Sequence, residues 1–245
     1  MDPSPRLLST DEVDDLDTPL PEDFQPFDPH QVSCIYHRNL PHWRQPDATY
    51  FVTFRLADSI PKEQWEHLQA MAELWKRELS HNDDGEPGDH QQEEYAIFQR
   101  RYQGRVEKML DECHGECLLR DPVHRADVVR SLLFFDERHE GAQKRGDLRY
   151  RIDAATILPN HVHLAIRPAP GFVLERLLGG MKSASAQRIN RRLGREGQLW
   201  MEESFDRIVR GEEHYGEVVR YILDNPAKAK LRQGDFWWMA PEIIV

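Results

Sequence analysis

Apolar residues along this chain switch between two spacings, and each switch marks an element. Residues 49–57, TYFVTFRLA, form a β-branched and aromatic run that reads as a strand. Residues 62–80 place Trp65, Leu68, Met71, Leu74 and Trp75 at spacings near three and four within polar, charged sequence. Residues 90–112 do the same with Tyr95, Phe98, Tyr102, Val106 and Leu110, so both stretches predict helices. The polar linker HNDDGEPGDH between them makes the pair a helical hairpin. Asp121-Pro122 has the form of an N-cap followed by Pro at the first helical position, opening a helix to about Asp136. Tyr150–Ile157 and His161–Ile166 are short strand-like runs, joined through Leu158-Pro159-Asn160, where Pro and Asn suit a tight connection. Val173–Leu193 predicts a helix, Leu199–Val209 an irregular strand, and Glu212–Leu231 a last helix that Pro226 bends or breaks. The order β, α, β, β, α, β, α, with no internal repeat, predicts an α+β fold: an antiparallel sheet with helices packed on one or both faces.

The first 33 residues have no such period. They combine nine acidic residues with one Arg and with Pro3, Pro5, Pro19, Pro21, Pro26 and Pro29. Such a segment predicts a disordered acidic tail, because it offers little apolar surface to offset its ordering entropy. Three regions follow: a tail over 1–33, one domain over 34–232 carrying a helical insertion at about 60–120, and a C-terminal segment over 233–245.

Composition narrows the class. Apolar residues make up 39% and charged residues 31% of the 245, and the mean hydropathy is −0.72, so a core can form beneath a very polar surface. No run approaches the roughly 18 apolar residues of a membrane span, and no membrane partner is expected. The start, MDPSPRLLSTDEVDD, lacks the basic and apolar parts of a secretory signal, and three cysteines are too few for a disulfide scaffold. A cytoplasmic protein is expected. The net charge of −11 conceals an asymmetry: residues 1–140 carry 15 Lys/Arg against 30 Asp/Glu, whereas 141–245 carry 17 against 13. Six basic residues and no acidic one fall within 176–195, so a polyanionic partner is compatible with the acidic whole.

Candidate chemistry concentrates in two places. In PNHVHLAI, Pro159–Ile166, residues i and i+2 of a strand share a face, so His161 and His163 project together while Val162 points away. Two neutral imidazoles side by side suit a divalent metal, and the bland alternative is a pair of half-exposed polar residues. In RYILDNPAKAKL, Arg220–Leu231, Tyr221 and Asn225 lie one helical turn apart. Tyr221 can supply a phenol nucleophile and Asn225 a carbonyl ligand, or the two can be a packing aromatic and an Asn that ends the helix before Pro226.

Taken together these pieces resemble the single-tyrosine HUH transposases, and more narrowly the REP-associated tyrosine transposases. Those chains carry a PNHVH-type segment and a downstream YI-x-x-NP-x-K-x-G-like segment, here Pro159–His163 and Tyr221–Lys230. Similarity continues through Thr49–Leu56, Met181–Leu193 (MKSASAQRINRRL) and Leu199–Arg210 (LWMEESFDRIVR), so it spans roughly 36–232. The resemblance implies a ferredoxin-like (RRM-like) HUH endonuclease fold. It implies Mg²⁺ or Mn²⁺ held by His161, His163 and Asn225. It also implies attack by Tyr221 on single-stranded DNA beside a palindromic hairpin, leaving a 5′-phosphotyrosine and a free 3′-OH that can be rejoined. A monomer or a homodimer fits, associated with the nucleoid when DNA is bound. The chain departs from the pattern in using an Asn ligand, in carrying Lys230 where Gly is usual, in its long insertion and in its acidic tail.

Weaker candidates remain. Arg188, Arg191, Arg192 and Arg195, with Lys182 and Lys228, can line a phosphate-binding face or simply a solvated helix. Arg38 and Trp43 pair charge with an aromatic able to stack on an unpaired base. Cys113 and Cys117 in CHGEC lack the second ligand pair of a structural zinc site. Tyr215, six residues from Tyr221, faces elsewhere on the helix. Two other readings compete. One is a domesticated DNA-binding protein that keeps the fold, disfavoured by retention of His161, His163, Tyr221 and Asn225 together. The other is a histidine-based nucleotide hydrolase, whose nucleophilic His would fall at Ala165.

Overall fold

The structure, a computed structural model, describes residues 5–32, 34–37, 41–81 and 89–240. In chain order the elements are α1 (Thr10–Asp14), a small β1 (Cys34–His37) and β2 (Pro41–Arg44) hairpin, β3 (Tyr50–Arg55), α2 (Lys62–His81), α3 (Asp89–Asp111), α4 (Pro122–Leu133), α5 (Glu140–Arg145), β4 (Tyr150–Ile157), β5 (His161–Pro168), α6 (Leu174–Leu193), β6 (Phe205–Ile208), α7 (Glu212–Lys228) and β7 (Trp237–Met239). The main sheet has the order β6-β3-β5-β4-β7 and every pairing in it is antiparallel. Its first four strands, with α4 and α6 as crossovers, trace a β-α-β-β-α-β ferredoxin-like path.

Strand alternation sorts the side chains into two cores. Tyr50, Val52, Phe54 and Leu56 of β3 and its end join Val162, Leu164 and Ile166 of β5 on the face covered by α4 and α6, with Leu132, Leu174, Met181 and Ile189. Phe51 and Ala165 point the other way, into a second cluster with Val218, Val219, Ile222 and Leu223 of α7. Each fully buried side chain of this kind contributes about 1.5–3 kcal/mol. Because helices cover both faces, β3 and β5 are buried nearly end to end. The register sets Thr53 opposite His163 and Arg55 opposite His161, on the α7 face.

Local signals held where they were strong. Asp121 caps α4 by accepting from the Val123 N–H, with Pro122 at the first helical position. The hairpin α2–α3 forms its own cluster around Leu68, Ala72, Tyr102 and Leu110, with Trp75 stacked on Phe98 at 4.9 Å. Leu74, placed in the apolar stripe by spacing, is instead 59% exposed. The irregular strand expected over Leu199–Val209 shortens to β6, with Trp200 bridging to Leu56. The C-terminal segment supplies β7, which pairs with β4, and α5 and the β1–β2 hairpin had no sequence forecast.

The expectation of a disordered tail does not hold for residues 5–32. Ser9 and Glu12 form a capping box that opens α1, the Thr10 hydroxyl donates to Asp224 at 2.9 Å, and Leu8 and Val13 are buried against α7. Asp23 pairs with Arg167. The few apolar residues suffice because α7 leaves an apolar stripe open on its outer side, so the tail borrows a core rather than building one. Among the described residues no helix is long and apolar enough to cross a membrane.

Candidate active site

Side by side on β5, both histidines are buried, at 1% exposure each. Their Nε2 atoms approach to 3.0 Å. The outer nitrogens are held: His161 Nδ1 meets Asn160 Oδ1 at 2.7 Å, and His163 Nδ1 meets Thr53 Oγ1 at 2.8 Å. An amide oxygen only accepts, so Asn160 fixes the proton of His161 on Nδ1 and leaves Nε2 with its lone pair inward. Asn160 is anchored by donating to the carbonyls of Leu110 and His114 at the end of the hairpin. Burial drives the His161 pKa down to about 3 and that of His163 well below its usual value, so both rings are neutral. His163 is also stacked on Phe51 at 5.6 Å.

Tyr221 closes this constellation. Its ring packs edge-on against His163 at 5.3 Å and against Phe51 at 5.6 Å. Its hydroxyl meets Asn225 one turn on and Glu107 from α3. Burial, then the charge of Glu107, raises the phenol pKa far above its usual value, while the Asn225 hydrogen bond pulls against them. Glu107 is itself pushed up by burial, opposed by hydrogen bonds from Gln103 and Tyr221, and Asp111 nearby rises to about 6 by burial. Asn225 is 1% exposed and its Oδ1 has no hydrogen-bond partner. Such an orphaned acceptor is costly unless a ligand meets it.

A divalent metal fits these groups. Two neutral imidazoles with inward nitrogens and an unpartnered amide oxygen make a nitrogen- and oxygen-donor set suited to it. Among the described residues no group of three His, Cys, Asp or Glu side chains could hold a metal, so a third donor has to be of another type.

The basic residues divide. Lys228 lies 5.3 Å over the Tyr221 ring and pairs with Asp224 at 2.9 Å. Lys182 donates to the carbonyls of Met201 and Glu202 and to Ser204, bracing the loop before β6. Arg188 donates to Ser131 at 2.8 Å and Arg192 to buried Asp127 at 2.7 Å, so both tie α6 to α4, while Arg195, just past the end of α6, donates to Glu116 at 2.8 Å. Arg191 is exposed and makes no ion pair among the described residues. Trp43 packs edge-on against Phe27 at 5.9 Å, and Arg38 lies outside the described residues. Tyr215 is buried against Phe24, away from the histidines. Cys113 and Cys117 are free thiols.

Sequence reasoning missed Thr53, Glu107 and Arg55, and read Asn160 only as a turn residue. The alternation within TYFVTFRLA already placed Thr53 and Arg55 on one face. Nothing local announces Glu107.

Comparison with known proteins gives two findings. Residues 140–225 match the family model described as transposase IS200 like. Among solved structures, the chain is similar to a REP-associated tyrosine transposase bound to a REP hairpin, at 16% identity and a TM-score of 0.37, over 79% of this chain and 73% of that one. No curated protein matches.

Proposed function

We propose, from the premise that residues 140–225 are an IS200-like transposase segment, that this protein cuts and rejoins single-stranded DNA through a phosphotyrosine on Tyr221. The observation that carries the reading is the packing of the Tyr221 ring on His163, beside a neutral His pair and an orphaned Asn225 oxygen.

The phenol attacks phosphorus, the bond to the 3′-oxygen breaks, and a 5′-phosphotyrosine remains. Solvent protonates the departing 3′-oxygen. A phenol is mostly protonated at neutral pH, the more so when buried, so its proton needs an acceptor. Glu107 already interacts with the hydroxyl and is placed to take that proton. In rejoining, the 3′-OH gives its proton to solvent as it attacks phosphorus, the bond from phosphorus to the phenol oxygen breaks, and Glu107 returns the proton to that oxygen. Exchange of one phosphoester for another needs no nucleotide cofactor. His161, His163 and Asn225 would hold Mg²⁺ or Mn²⁺, which when bound polarises phosphate oxygens and neutralises developing charge. Asn160 and Thr53 keep the imidazole nitrogens facing inward. The substrate best matched is a strand beside a palindromic hairpin, with Arg191 and Lys228 available to phosphates.

The test is an adduct assay with labelled hairpin-bearing single strands and Mn²⁺. Wild type and Tyr221→Phe are compared, with Tyr215→Phe as control. The expected result is a covalent band for wild type and the control, none for Tyr221→Phe, and binding within about twofold throughout. An adduct that survives in Tyr221→Phe removes the nucleophile; wild type that binds the hairpin and never forms an adduct supports the domesticated binder.

A further inference from the structure

A small cavity opens between the sheet and the helical hairpin, lined by Arg55, Trp65, Tyr102, Glu107, Glu203 and Phe205. Arg55 is its most unusual wall. The residue is only 6% exposed, and its Nη2 is buried without a hydrogen-bond partner. Nη1 reaches Ser59 at 3.1 Å, and the guanidinium lies 4.3 Å over the ring of Trp65. A guanidinium held in this way, stacked, dry and short of an acceptor, is poised for something that enters.

The cavity adjoins the reacting groups. Arg55 stands opposite His161 in the β3–β5 register, Thr53 lines the cavity while holding His163, and Glu107 touches both the cavity and Tyr221. Beside the aromatic rings of Trp65, Tyr102 and Phe205, Val106 and Met201 add apolar wall and Gln103 and Ser204 polar wall. Two carboxylates on the same walls disfavour a phosphate. They favour a neutral ring that offers acceptors to Arg55 and donors to a carboxylate.

The geometry points to a subsite for one unpaired guanine of the DNA strand, next to the phosphodiester that Tyr221 attacks. This inference rests on the function proposed above. Guanine alone among the four bases shows paired acceptors, O6 and N7, on one edge and N–H donors at N1 and N2 beside them. The O6/N7 pair is the commonest specific partner of an Arg fork. Trp65, Tyr102 and Phe205 supply the stacking that holds an unpaired base. The cavity is about 60 Å³, which admits the edge of a ring and leaves the sugar outside. The hairpin that forms it would thus be part of the recognition surface.

Selection from hairpin-bearing single strands with randomised flanks tests this, using the full-length protein without metal so that binding is read apart from cleavage. Wild type is expected to enrich guanine at one flanking position. Replacing that guanine by 7-deazaguanine or inosine should weaken binding roughly 10- to 100-fold. Arg55→Gln and Arg55→Lys should abolish the preference at that position while retaining preferences elsewhere; the Lys variant keeps the charge and loses the fork. Circular dichroism accompanies both, and a variant that unfolds is replaced by Glu203→Gln, which should lose discrimination against inosine alone. An unchanged preference in correctly folded Arg55 variants overturns the subsite and leaves the catalytic reading standing. Wild type that enriches no base overturns the subsite too, and the adduct assay then decides the catalytic reading separately.

Discussion

The proton positions on two imidazole rings are set by neighbours that differ in kind. Asn160 can only accept through its oxygen, so His161 is locked in one tautomer; Thr53 can donate or accept, so His163 is oriented but less firmly fixed. Thr53→Val keeps the volume and removes the hydroxyl. We expect its Mn²⁺ affinity to fall about tenfold by titration calorimetry, with circular dichroism unchanged, because an outer hydrogen bond that orients a ligating His is worth about 10- to 100-fold in affinity. Unaltered Mn²⁺ binding would place the metal away from His163. The same scale explains why Tyr221 needs Glu107. A phenol whose pKa is raised by burial is a poorer nucleophile than one in water, unless its proton has somewhere to go.

Helix α7 carries both Tyr221 and Asn225, and its C-terminus shows the origin of one sequence departure. Lys230 sits at φ +53°, its N–H bonding to the Ala227 carbonyl while the Leu231 N–H bonds to that of Pro226. This is a Schellman ending, whose left-handed position favours glycine. A Cβ there costs of order 1 kcal/mol. Lys230→Gly is therefore expected to stabilise the protein by about 0.5–1 kcal/mol in urea denaturation, with adduct formation unaltered; a loss of stability would mean that the Lys230 side chain makes a contact of greater worth. Pro226 is tolerated inside the last turn of α7, which runs on to Lys228. Helix α6 is different again. Its arginines were grouped by spacing as one phosphate-binding face, yet Arg188 and Arg192 are engaged with Ser131 and Asp127 of α4. Arg191 is the member left facing solvent.

At the scale of the molecule, charge and packing pull in opposite directions on the N-terminal segment. Residues 1–33 carry a net −8, from nine acids and one Arg, and removing them would ease the approach of a polyanion. They also deliver Leu8 and Val13 to the outer core against α7, at 2% and 0% exposure. Deleting residues 1–32 is expected to lower the melting temperature by several degrees, since losing the two side chains alone costs roughly 3–6 kcal/mol. A truncated protein that melts with wild type would show that the segment's packing contributes nothing to stability. Val13→Ala should give a smaller loss in the same direction, about 1–2 kcal/mol, without changing the charge.

The sequence by itself determined what depends on near neighbours. Alternation in HVH put two imidazoles on one face, four-residue spacing put Tyr221 and Asn225 one turn apart, and Asp121-Pro122 marked the start of α4. Those relations follow from the 2.0 and 3.6 periodicities of the backbone and need no partner. The tertiary structure decided the rest. Thr53 meets His163 across 110 positions of chain, and Asn160 meets Leu110 across 50. Glu107 reaches Tyr221 because the hairpin folds back over the sheet, and Arg55 is buried with its Nη2 short of an acceptor because Trp65 and Tyr102 of that hairpin pack beside it. The tail followed the same logic: its composition could not report the open apolar face of α7 that receives it. Composition averages a segment over itself, whereas burial depends on the surface the segment meets.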